Sequence, residues 1–140
     1  MAKPELLIDT SYAVALVSKA DRYHMAAQRL ATQIRLRFRL VVTQAVCLEI
    51  GNFLARSHSR AEGVRLLSEL QTDKGVVKVP MSDDLYSHAF SLYAKRPDKE
   101  WSLIDCVSFV VMNERGITDA LTADGHFEQA GFRPLMRDAV

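Results

Sequence analysis

The 140-residue sequence predicts an α/β fold: a short, mostly parallel central sheet of four to five strands with helices on both faces. Three observations predict it. Apolar stretches of strand length alternate with longer stretches of helical spacing, in the order β, α, α, β, α, α, β, α, α, β, α, β. The strand candidates are continuously apolar rather than alternating, as burial on both sheet faces demands. Cap and turn residues punctuate the helices where the periodicity changes.

The elements follow in order. "ELLID" (5–9) reads as a short buried strand, and "SYAVALVSK" (11–19) as a helix. "DRYHMAAQRLATQI" (21–34) places Tyr23, Ala26, Ala27 and Leu30 at helical spacing, with Asp21 as its expected N-cap. "FRLVVT" (38–43) is the second strand. "QAVCLEIGNFLAR" (44–56) is a helix with Val46, Ile50, Phe53 and Leu54 on its expected core face. "RAEGVRLLSELQ" (60–71) is another helix, and "GVVKVP" (75–80) a strand closed by Pro80. "SDDLYSHAFSLYAKR" (82–96) is opened by Ser82 and stops before Pro97. "SLIDCVSFVVMNERG" (102–116) has Ser102 at its cap and Gly116 after its end. "ITDALTAD" (117–124) is a strand, "HFEQAG" (126–131) a short helix, and "FRPLM" (132–136) the last strand candidate.

This length predicts one domain, 1–140, able to bury a core without disulfides. The composition, 49% hydrophobic and 25% charged, is that of a globular protein and excludes a disordered chain. Runs such as "LVV" and "FVVM" are too short to cross a bilayer, and "MAKPELLID" lacks a signal-peptide core, so a cytoplasmic protein is expected. Cys47 and Cys106 form no C-x-x-C and read as buried, reduced thiols. A net charge of +1 neither advertises a nucleic-acid binder nor excludes one with a local basic stripe.

Ligands of open α/β sheets bind outside the carboxyl ends of the strands. Asp9 ends the first strand candidate and Asp124 ends "ALTA", so a parallel sheet directs both into one crevice. Glu49 lies beside the apolar Val46, Ile50 and Phe53, where an unpartnered charge is costly. Asp105 stands three residues after Ser102, at a helix start. Each acid also has a plain local reading. Asp9 and Asp124 could cap the helices that follow, Ser102 and Asp105 could form a capping box, and Glu49 could reach solvent. Asp119 lies at the far end of the Asp124 strand candidate, roughly 16 Å away at 3.3 Å per residue, and is left out of the set.

Four carboxylates in one crevice repel one another unless cations are present. Mg²⁺ and Mn²⁺ prefer such oxygen donors, and they clamp the oxygens of a phosphodiester while activating a bound water. The crevice therefore points to metal-dependent phosphoryl chemistry, with Asp9, Glu49, Asp105 and Asp124 as its acids. Thr10, Ser11 and Thr122 flank them and could hold ligands or waters in place.

The stretches "LLIDTS", "TQAVCLEIGNFL" and "WSLIDCVSFVVMNERGITDALTADGHFEQAGF" resemble the PIN-domain ribonucleases, and among them the VapC-type toxins of toxin–antitoxin pairs. The last stretch is the most specific: S-L-x-D-C, then T-x-D-x-H-F about twenty residues later, then a glycine. The resemblance covers essentially the whole chain and puts the family's four metal-site acids on Asp9, Glu49, Asp105 and Asp124. It implies Mg²⁺- or Mn²⁺-dependent endonucleolytic cleavage of RNA by a metal-activated water, leaving 5′-phosphate and 3′-hydroxyl ends. Asp9, Asp105 and Asp124 would be the main ligands, and Glu49 would ligate or orient the water. A homodimer and a cognate antitoxin that inserts a segment near the active site are further implications.

Two basic clusters are candidates for RNA contact. Arg35, Arg37 and Arg39 interleave with Leu36 and Phe38, although a helix C-terminus leading into a charge-guarded edge strand explains them equally simply. Lys95, Arg96 and Lys99 lead into the Asp105 helix and so lie near the expected mouth. His24 and His126 read as packed or hydrogen-bonded histidines, Trp101 as a core or interface residue, and "FVVM" (109–112) as core first.

Competing functions fit less well. A haloacid-dehalogenase phosphatase needs D-x-D after the first strand, and here Ser11 holds the second position. A phospho-acceptor receiver needs paired acids there and an acceptor Asp after a middle strand, whereas the third strand ends "VKVP". A PIN fold serving as a binding module without catalysis remains open, although the intact acid set argues against it.

Overall fold

The computed structural model describes residues 2–138. Five parallel strands form one sheet in the order β3-β2-β1-β4-β5. The elements are β1 (Glu5–Ile8), α1 (Thr10–Val17), α2 (His24–Ile34), β2 (Arg39–Thr43), α3 (Gln44–Phe53), α4 (Arg60–Thr72) and β3 (Val76–Val79). They continue with α5 (Asp83–Lys95), α6 (Leu103–Arg115), β4 (Asp119–Leu121), α7 (Gly125–Gln129), β5 (Arg133–Pro134) and α8 (Leu135–Asp138).

The chain builds outward from β1 to β2 and β3, then returns to the other side of β1 with β4. The strand order therefore reverses between β1 and β4, and a crevice opens at their carboxyl ends. Successive side chains of the buried strands serve opposite faces. Leu6 and Ile8 join Leu40 and Val42 in a core under α1–α4 and α8, whereas Leu7 joins Val41 and Ala120 in a second core under α5–α7. Both faces of β1 are thus apolar, which explains its continuous "LLI".

Caps fix where the helices start. Thr43 and Ser82 accept from the N–H groups of Val46 and Leu85, each at 3.1 Å. Gly116 closes α6 in the left-handed conformation (φ 69°), which a side chain would strain.

Five expectations are corrected. Asp21 does not cap α2, because the chain makes a turn at 18–23 in which the Asp21 carboxylate accepts from Tyr23 N–H (2.8 Å), and the helix begins only at His24. Phe53 is not on the core face: α3 ends there and Phe53 is 64% exposed, whereas Leu54 is buried as expected. β4 stops at Leu121, three residues before Asp124. "FRPLM" gives a strand of only two residues, after which the chain turns into α8 and buries Met136 against the first core. β2 is also an interior strand, so the arginines before it do not guard an edge.

Other expectations hold. His24 bonds the Ala15 carbonyl (2.7 Å), and Trp101, Phe109, Val111 and Met112 are buried. Both cysteines are free thiols; Cys106 is buried as expected, whereas Cys47 is only half-buried.

Candidate metal centre

The cleft at the reversal point encloses about 530 Å³, and its wall includes Asp9, Glu49, Asp105 and Asp124. Asp9 directly follows β1, Asp124 follows β4, Glu49 stands on α3, and Asp105 lies in the first turn of α6. Fold topology thus brings together acids from segments spread over 116 positions of sequence, from Asp9 to Asp124.

A hydrogen-bonded frame holds them. Thr122 Oγ1 donates to Asp9 Oδ2 (2.7 Å) while accepting from Asp124 N–H (3.0 Å), so one buried hydroxyl ties the two strand ends together. Ser11 Oγ donates to Asp9 Oδ2 (3.3 Å) and accepts from Ala123 N–H (3.2 Å). Thr10 Oγ1 donates to Glu49 Oε1. Ser102 and Asp105 form a reciprocal capping box, with Asp105 N–H donating to Ser102 Oγ (3.0 Å) and Ser102 N–H to Asp105 Oδ2 (3.1 Å). Asp124 caps α7 by accepting from His126 N–H (2.8 Å). The capping and site readings are therefore compatible: the same caps that start α6 and α7 aim their carboxylates at the cleft.

Burial sets the electrostatics. Asp9 is 6% exposed, and desolvation pushes its pKa up to about 6, against the opposing hydrogen bond from Thr122 and with added repulsion from Asp105 and Asp124. Asp105 is raised too, chiefly by burial, with the Ser102 and His126 hydrogen bonds opposing. Among the described residues lining the cleft there is no Lys or Arg. Clustered oxygen donors with no Lys or Arg among them suit a hard divalent cation.

His126, read from the sequence as packed or hydrogen-bonded, is hydrogen-bonded to the acids themselves. Its Nδ1 lies 3.0 Å from Asp105 Oδ2 and 3.5 Å from Asp124 Oδ1. Asp105, Asp124 and His126 offer donor atoms that all lie within 4.8 Å of one another, while Asp9 and Glu49 line the cleft without joining that group. T-x-D-x-H-F puts His126 two residues past Asp124, but no local pattern says where its ring points. Asp21 and Glu100 also line the cleft, as do Asn52 and the exposed Phe53.

The basic clusters separate. Arg39 starts β2 at the amino end of the sheet, away from the acids, and Arg35 is paired with Asp73. Arg37 lies between them in the turn after α2. Lys95 is the last residue of α5. Arg96 is held by Asp98 (2.9 Å) and lies over the Trp101 ring, 5.1 Å from its centroid. Arg96 and Lys99 line a neighbouring cavity that shares Glu100 and Ser102 with the acidic cleft.

Thr122→Val tests the frame. Loss of the hydroxyl that serves both Asp9 and the Asp124 backbone is expected to weaken divalent-metal binding by about ten- to a hundredfold, measured by calorimetric titration. Affinity within about twofold of wild type would show that Thr122 does not position the acids.

Comparison with known proteins agrees with this fold. The chain is 27% identical over 130 residues to the 23S rRNA-specific endonuclease VapC20 of Mycobacterium tuberculosis, covering 91% of this chain and 95% of that protein. The crystal structure of VapC20, described as a Sarcin-Ricin loop cleaving toxin, superposes with a TM-score of 0.81 at the same identity and coverage. The structure of VapBC-1 from nontypeable Haemophilus influenzae matches with a TM-score of 0.64 at 14% identity, over 94% of this chain and 98% of that one. FitAcB from Neisseria gonorrhoeae matches with a TM-score of 0.62 at 15% identity, over 92% and 94%. At these last identities the likeness is one of fold. The PIN domain model matches residues 6–133, nearly the whole sheet and all four acids, and the chain belongs to the PIN domain family.

Proposed function

We propose that this protein is a divalent-metal-dependent endoribonuclease that hydrolyses RNA phosphodiesters, and that it is the toxin of a toxin–antitoxin pair. The observation that carries this reading is the convergence of Asp9, Glu49, Asp105 and Asp124 in one cleft with no Lys or Arg among its described lining residues. The likeness to VapC20 supports an RNA substrate and makes 23S rRNA the first target to assay.

Asp9, Asp105 and Asp124 would hold Mg²⁺ or Mn²⁺. When bound, the ion lowers the pKa of a water and neutralises charge on the phosphodiester. Glu49, with one oxygen engaged by Thr10, keeps its other oxygen to orient the attacking water and accept its proton. Attack on phosphorus with departure of the 3′ oxygen leaves a 5′-phosphate and a 3′-hydroxyl. Ser11 and Thr122 fix Asp9, so the acids need little rearrangement as charge develops.

We also read the protein as a cytoplasmic homodimer that binds a cognate antitoxin, a reading that rests on the family resemblance. Among the described residues, no helix is long and apolar enough to cross a membrane.

End-group analysis of cleaved RNA tests the chemistry. Products carrying 5′-phosphate, and no product in EDTA, are expected. A 2′,3′-cyclic phosphate would mean that the RNA's own 2′-hydroxyl attacks, and it would remove the metal-activated water from the reaction.

The two basic clusters make a separate prediction. Lys99→Ala should weaken RNA binding and lower the salt dependence by about one unit of log Kd against log salt, whereas Arg37→Ala should leave it unchanged. Equal slopes for wild type and Lys99→Ala would take the Lys95–Lys99 loop out of the RNA path.

A further inference from the structure

We infer that His126 is a metal-selecting ligand, giving the Asp105–Asp124 pair a nitrogen donor that favours transition ions over Mg²⁺. The inference rests on the reading of the cleft as a metal centre and adds to it which ion the centre prefers.

The position of the ring carries the argument. Nδ1 faces both carboxylates, 3.0 Å from Asp105 Oδ2 and 3.5 Å from Asp124 Oδ1. One donor atom from each of the three side chains lies within 4.8 Å of the other two, close enough to share a single ion. Asp9 and Glu49 are outside this set, so the tightest group in the cleft is the one that includes nitrogen. The backbone that carries the ring is also held: His126 N–H donates to Asp124 Oδ1 (2.8 Å), joining residue and neighbouring carboxylate in one cap. With its proton on Nδ1 the imidazole hydrogen-bonds Asp105, and with the proton on Nε2 the bare Nδ1 can ligate. The exchange needs a tautomer change and no large movement of the ring.

Ion chemistry supplies the selectivity. Mg²⁺ prefers oxygen donors and keeps several waters, so a carboxylate pair satisfies it without the ring. Imidazole suits transition ions, whose affinity rises along the series from Mn²⁺ through Co²⁺. Deleting the ring should therefore cost Co²⁺ much and Mg²⁺ little. A residue that merely positions the acids should cost both ions alike.

Calorimetric titration of wild type, His126→Ala and His126→Gln at pH 8 with Mg²⁺ alone and Co²⁺ alone decides between these roles. The visible spectrum of the Co²⁺ form serves as a second readout. Expected are a loss of about tenfold or more in Co²⁺ affinity in both variants, Mg²⁺ affinity within about threefold, and a changed Co²⁺ spectrum. Equal losses for both ions, or Co²⁺ affinity and spectrum unchanged, would overturn the assignment while leaving the metal centre intact. Failure of the wild type itself to bind either ion would overturn both the assignment and the reading beneath it. Melting curves without metal, taken on all three proteins, confirm that each variant is folded.

Discussion

Asp9→Asn will lower RNA cleavage by about a hundred- to a thousandfold or more, and in metal-free buffer at pH 7.5 it will make the protein more stable. The two effects share one cause. Asp9 is buried beside Asp105 and Asp124, and burial pushes its pKa up to about 6 from 3.8. A carboxyl raised in the folded state is bound to its proton more tightly there than in the unfolded chain. Its favourable contribution is fully present below about pH 4 and is lost as pH rises through 6. Near neutral pH the metal-free fold therefore carries an ionised, desolvated group at a cost of about 3 kcal/mol relative to acid conditions. Asp105, raised in the same direction, adds to the trend.

Asparagine removes that charge at every pH and keeps the shape. Some of the gain is lost because Asn presents an amide donor where Asp9 only accepts. A rise of about 3–8 °C in melting temperature at pH 7.5 without metal is expected, with a flatter stability profile between pH 4 and 7. Millimolar Mn²⁺ should reverse the order, because it binds the folded acids of the wild type and not the unfolded chain. A variant less stable than wild type without metal, with an unchanged pH profile, would contradict the electrostatic account of the cleft.

Phe109→Ala has the second large effect, about 3–5 kcal/mol of lost stability. Phe109 is 1% exposed on α6, and its ring meets Trp101 (5.0 Å), Phe127 (5.0 Å) and Phe132 (5.6 Å). The two edge-on contacts matter to the site. Trp101 immediately precedes the Ser102 cap of α6, and Phe127 immediately follows His126. One ring thus anchors both backbone segments that carry Asp105 and Asp124. The melting temperature should fall by roughly 10–15 °C, with metal affinity reduced even at temperatures where the variant is folded. Met25→Ala, at a residue 70% exposed on α2, should change stability by less than about 0.5 kcal/mol. Similar melting temperatures for the two variants would mean that this aromatic cluster does not brace the cleft.

The acids were legible because topology leaves a mark in the sequence. A buried parallel strand has little reason to run into a charge unless its carboxyl end faces a crevice; Asp9 directly follows β1, and Asp124 stands three residues beyond β4. Asp105 was legible through its cap, since an acid three residues after Ser102 has a defined geometry. Helical periodicity failed at helix ends, where one residue decides which side chain turns inward. Leu54 is buried as expected, but Phe53 beside it turns out to solvent for that reason. Asp21 was assigned by the commonest use of an Asp before a helix, but a turn intervenes and its side chain reaches the cleft instead. The length of β4 and the placement of His126 depend on tertiary pairing, which no local pattern encodes. The Arg35–Arg39 run looked suited to RNA from composition alone. Its place at the amino end of β2, opposite the acids, follows from parallel pairing, and only β2's interior position needed the sheet order.

The most direct test is cleavage of purified 23S rRNA by the protein freed of any partner, in Mn²⁺, Mg²⁺ or EDTA, with Asp105→Asn alongside. The account predicts discrete fragments with either ion, none in EDTA, and at least about a hundredfold slower cleavage by the variant. Fragments in EDTA, or equal cleavage by wild type and Asp105→Asn, would contradict the assignment of the four acids as the centre of catalysis.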